Sequence, residues 1–129
     1  MLIFGNKYID SPLFIEVSSS EEIAKTSPKD IIVLSEFKEP YTLAKYCYEN
    51  SITYAIKVES IKDSLFGVNF EASYLIASLD LAKIIQKIAN EYLWDAKVLA
   101  KIKDDNSLEE VALESIDGVI YQNHIKRIN

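Results

Sequence analysis

The sequence predicts an α/β fold: a three-layer α/β/α sandwich on a mainly parallel sheet of about six strands. Three features carry that prediction. Short apolar runs of strand length alternate with longer amphipathic runs of helical period. The connections between them are only a few residues long. Serines stand just ahead of the amphipathic runs, where a helix takes its N-cap. The 129 residues suit one domain spanning 1–129. With 49% hydrophobic and 26% charged residues, the chain can build a core without a disulfide or a metal.

The elements follow in order. Leu2–Phe4 and Lys7–Ile9 flank Gly5-Asn6, a two-residue turn signal, so residues 1–10 read as a small N-terminal hairpin. Leu13–Val17 is a strand, and Ser19 or Ser20 caps a short helix through Thr26 with Glu21 and Glu22 in its first turn. Ile31–Leu34 is continuously apolar, as a strand covered on both faces requires. A helix starts near Pro40 and runs to Asn50, followed by strand Tyr54–Val58. Ser60-Ile61-Lys62-Asp63 resembles a capping box and opens a helix to Phe70, with Ile61, Leu65 and Val68 as its core stripe. Strand Tyr74–Ala77 leads into the clearest helix, capped by Ser78 and ending at Tyr92, with Leu81, Ile84, Ile85, Ile88 and Tyr92 on one stripe. Val98–Ile102 is a strand; Ser107-Leu108-Glu109-Glu110 is a full capping box before a helix to Ser115. Asp117-Gly118 turns into strand Val119–Tyr121, and residues 122–129 read as a polar tail. Such alternation gives flavodoxin-like or Rossmann-like layering, with the strand order left open. In these sheets ligands bind beyond the carboxyl ends of the strands.

Composition excludes several functions. The net charge of −6, with the 14 Lys and Arg scattered, makes nucleic acid and anionic membrane poor partners. No uncharged stretch approaches the roughly 20 residues of a membrane helix, and no signal peptide opens the chain, so a cytoplasmic location is expected. One Cys and one His cannot make a Cys/His zinc cluster. Only three glycines are present, and no glycine-rich phosphate loop is among them. The first helical turns already hold Glu21, Glu22, Asp63, Asp80, Glu109 and Glu110, which compete with any phosphate for the same N–H groups. No cofactor is therefore expected.

Two groups of rim and strand residues remain as candidates. Glu36, Glu59, Asp104 and Asp105 are oxygen donors at strand ends and could hold Mg²⁺, although solvated loop acids are common in an acidic protein. Lys57 and Lys101 lie inside strands, with Glu59 two positions after Lys57. A desolvated strand lysine can act as an amine nucleophile, or its head can simply reach out to water. Cys47 shares a helical face with Leu43 and Ala44 and reads as a small core residue, while His124 falls in the tail, away from it.

Two family resemblances attach to these residues. The alternating topology looks like a response-regulator receiver domain. That family carries an acidic pair after its first strand, an Asp after the third and Lys-Pro after the fifth. Here the matching places hold Ser18-Ser19, Glu59 and Lys103-Asp104, so only topology is shared. Ala100–Tyr121, with Lys101-Ile102-Lys103-Asp104 and Ile116-Asp117-Gly118, resembles one unit of pyruvate-binding barrels. A complete eight-stranded barrel takes about 200 residues or more, so that closure is not expected.

The expected function is a noncatalytic protein-interaction or regulatory module, leaning away from an enzyme. The alternative is a small-molecule enzyme or sensor using Lys57, Lys101 and Glu59 at the rim. A real pocket at the strand ends separates the two. A homodimer is also expected, packed through Tyr41, Tyr48, Phe66 and Phe70, which lie off the core stripes of their helices.

Overall fold

The computed structural model describes residues 1–128. Its elements run β1 (Leu2–Phe4), β2 (Phe14–Val17), α1 (Ser20–Ala24), β3 (Ile31–Leu34), α2 (Thr42–Glu49), β4 (Tyr54–Lys57) and α3 (Ile61–Asn69). They continue as β5 (Tyr74–Ala77), α4 (Leu79–Tyr92), β6 (Lys97–Ile102), α5 (Leu108–Leu113), β7 (Gly118–Tyr121) and β8 (Ile125–Arg127). The α/β class and the parallel sheet are as predicted. Ser19, Ser60 and Ser78 each cap their helix, accepting from the backbone N–H of Glu22, Asp63 and Leu81.

The sheet has eight strands, all parallel, in the order β1-β7-β6-β5-β4-β3-β2-β8. From β2 to β7 each strand is laid beside its predecessor on the same side. Right-handed crossovers in that order put every helix on one face. The packing agrees. Helix residues Ile23, Ala44, Cys47, Ala82, Ile85, Ala89 and Val111 share one core with Val17, Leu34, Ile56, Leu75, Val98 and Val119. The opposite face buries only strand residues: Phe4, Phe14, Ile31, Val33, Ala55, Ile76, Leu99 and Ile120.

Where a sandwich would place a second helix layer, the sheet covers itself by curling. Phe4 and Phe14 stand six strand spacings apart in the sheet order, roughly 29 Å if flat. Their ring centroids are 5.0 Å apart, and both meet Tyr74 of β5 at 5.7 and 5.8 Å. The registers drift in one direction, Phe14 beside Ile31, Ile32 beside Tyr54, Ala55 beside Tyr74, the stagger that bends a sheet toward a barrel. The edges meet at Gly5, where a Cβ would lie 2.6 Å from that of His124 and where φ is +100°. A barrel-like curl thus fits in 129 residues because its strands are three to six residues long and α1 and α5 only five and six.

Both chain ends differ from the sequence reading. The N-terminal hairpin is absent: β1 pairs in parallel with β7, and the Gly5-Asn6 segment leads away from the strand. The polar tail is strand β8, paired with β2, and His124 is tied down by Pro12 O and Ser11 Oγ at 2.7 and 3.3 Å. Two helices are rotated. On α3 the buried residues are Ser64 and Gly67, leaving Ile61 and Leu65 exposed; on α4 they are Ala82, Ile85, Gln86 and Ala89, leaving Ile84 and Tyr92 exposed. Small residues face the sheet because the helices lie close to it. A Cβ on Gly67 would meet Ile56 Cδ1 at 2.3 Å, and Ser64 satisfies its own hydroxyl on Ile61 O.

Phe14 is fully buried at the centre of the inner core. Phe14→Ala should cost about 3–5 kcal/mol, read as a lower urea-unfolding midpoint.

Candidate functional site

Side chains alternate across a strand, so the residue two beyond an inner core residue faces the same interior one pleat higher. On β2 that step leads from Phe14 to Glu16, on β4 from Ala55 to Lys57, on β6 from Leu99 to Lys101, and on β8 from Ile125 to Arg127. The carboxyl end of the curled sheet therefore carries one carboxylate and three cations above an apolar plug. Glu16 bridges two of them. Its Oε1 lies 2.5 Å from Lys57 Nζ, and its Oε2 lies 3.7 Å from an Arg127 guanidinium nitrogen. Arg127 also donates to Ser18 Oγ at 2.8 Å and approaches Glu22 Oε1 at 3.7 Å. The Ser18 backbone N–H donates to Glu22 at 2.7 Å and, with the Ser18 hydroxyl, holds the Glu22 carboxyl below the usual range. Lys101 makes no ion pair among the described residues.

A groove of about 730 Å³ opens over this layer, within the size range of small-molecule sites. Ile76 of β5 forms its floor, with Lys57 and Lys101 on the strands either side. Ser35, Glu36, Phe37, Lys38, Glu59, Asp63 and Ser78 rise around it. A second depression of about 560 Å³ shares the Ser35–Lys38 wall and reaches Arg127 and Tyr41.

Lys57, Lys101 and Glu59 thus line one groove, together with Glu36. Asp104 and Asp105 lie apart, in a depression with Asn6, Lys7 and Tyr121. There Asp104 accepts from Asn106 N at 2.9 Å, and Asp105 accepts from the Tyr121 hydroxyl. Burial first, and then that bond, pushes the Tyr121 phenol up from its ordinary value. Among the described residues, no three His, Cys, Asp or Glu side chains gather as a metal site. Glu16 and Arg127 are the residues sequence reasoning passed over. The signal for Glu16 was available, as a lone charge two positions after Phe14 in an apolar strand. Arg127 was hidden by the reading of its segment as a tail.

Of the four aromatics expected at a dimer interface, Tyr41 and Phe70 pack largely within the chain. Tyr41 lies 5.3 Å from Phe66, 5.6 Å from Phe70 and 4.9 Å from Phe37, centroid to centroid. Phe70 turns inward because α3 ends at Asn69 and Tyr54 Oη donates to Phe70 O at 2.6 Å. Phe66 and Tyr48 stay exposed, at 38% and 48%.

The chain matches no protein-family model, and no curated protein matches it in sequence. No helix among the described residues is long and apolar enough to cross a membrane.

Cys47 is fully buried against the sheet, and burial pushes its thiol up to about 11. Thiol reagents at pH 8 should label the native protein slowly and the urea-unfolded protein fast. The native state keeps this proton where the unfolded chain loses it. Stability should therefore fall as pH rises from about 9 to 11, followed by denaturant titration at each pH.

Proposed function

We propose that the protein binds a small polar molecule in the groove at the carboxyl ends of β3 to β6, as a sensor or an enzyme. The observation behind this reading is the convergence of Lys57, Lys101 and Glu59 on one cavity over the Ile76 floor. A pocket at the strand ends is the feature that favours a small-molecule protein over a pure contact module. The lysines need no glycine-rich loop, because strand alternation alone presents them. A thermal-shift screen of small polar metabolites tests the reading. A binder should raise the melting temperature by several degrees, and Lys57→Met with Lys101→Met should abolish the rise. A rise that survives both substitutions would place the ligand elsewhere.

A noncatalytic contact module that forms homodimers is the second reading. It is favoured by the exposed apolar strip Ile61, Leu65 and Phe66 on α3, at 40%, 41% and 38%. Aromatic and aliphatic strips of this kind are uncommon on monomers, and two-fold dimers are the commonest oligomers. Sedimentation at micromolar concentration should give twice 14.7 kDa, and Phe66→Asp should return the monomer mass. A 14.7 kDa species at high concentration ends this reading.

A further inference from the structure

The free charges of the groove stand on opposite walls. At strand level stand Lys57, Lys101 and Arg127 against the single carboxylate of Glu16, whose two oxygens are taken by Lys57 and Arg127. Lys101 is the cation left over. It belongs to the layer above Leu99, one pleat beyond the level of Lys57 and Ile76. Three carboxylates share the groove with them. Glu36 is paired with Lys38 at 3.5 Å, and the Asp63 carboxylate accepts the backbone N–H of Glu59 at 3.0 Å. The Glu59 side chain has no hydrogen-bond or ion-pair partner among the described residues and stands past the end of β4. The groove thus holds one unpaired cation on its β6 side and one unpaired carboxylate on its β4 side, each two residues beyond the level of Ile76, with the apolar Ile76 between the flanking strands.

We propose that the ligand is a small amino-carboxylate, its carboxylate on Lys101 and its amine against Glu59. This rests on the reading of the groove as the ligand site. Each class of simpler charge meets an obstacle. A phosphate or dicarboxylate on Lys101 faces Glu36, Glu59 and Asp63 across the same groove, and the N-termini of α3 and α4 are already closed by Ser60 and Ser78. A diamine finds Glu59 but brings its second charge against Lys101. Only a ligand with opposite charges at its two ends matches both walls.

Two-dimensional ¹H–¹⁵N spectra of the intact protein test this, titrated with glycine, 4-aminobutanoate, 6-aminohexanoate, succinate, putrescine and inorganic phosphate. At least one amino-carboxylate should give saturable shifts at the Ile76, Ala77 and Lys101 amides. Lys101→Met and Glu59→Gln should each weaken it by about tenfold or more. Succinate, putrescine or phosphate binding there as tightly overturns the amino-carboxylate and leaves the groove standing as a ligand site. The same holds if amino-carboxylate binding is indifferent to both substitutions. If these probes and the wider metabolite screen all leave the groove amides unmoved, the ligand-site reading falls and this inference falls with it.

Discussion

Everything in this fold depends on how the second face of a one-sided sheet is kept from water. Sequential right-handed crossovers put all five helices on the same face, so the other must be covered by the strands themselves. Phe4, Phe14 and Tyr74 do this. They come from the first, second and fifth strands and meet as tilted and edge-to-face rings, an arrangement aromatic pairs favour. Without that contact the sheet has no reason to curl, and its inner face would be a large exposed apolar surface.

The candidate site sits at the carboxyl end of the same curled sheet. Glu16 and Lys57 stand two strand spacings apart, roughly 10 Å between backbones. Their long side chains close that gap to 2.5 Å between charged atoms, and Arg127 reaches the same carboxylate from the adjacent strand β8, where the register sets it beside Glu16. Glu16 is partly shielded, which keeps the cluster from being a fully screened surface pair, yet Lys57 and Arg127 remain accessible enough to meet a ligand.

The class of fold was legible because strand-length apolar runs and serine caps are local signals. Ile31–Leu34, Ser60 and Ser78 needed nothing beyond their neighbours. The edges were not, since β1 and β8 are defined by partners at the other end of the chain. Gly5-Asn6 carries a hairpin signal that tertiary pairing overrode. The faces of α3 and α4 were misjudged for a related reason. Large apolar side chains look like core, whereas a helix lying close to a tightly curved sheet presents Ser64, Gly67 and Ala82. Lys57, Lys101 and Glu59 were legible as charges in or beside apolar strands. Their company with Glu16 and Arg127 depended on the strand order and on the pairing of β2 with β8, which no local pattern encodes.

The pairing of the first strand with the seventh, and of the second with the last, has a kinetic side. Strands β2 to β7 each meet a sequence neighbour after one short crossover, so their loops close at small entropic cost. Strand β1 must wait for a partner made almost a whole chain later, and β2 leaves its outer edge open until Ile125–Arg127 exists. On a ribosome the nascent protein therefore carries unpaired edges at β1 and β2 until residues 118–127 are made, and both seals come from that one segment.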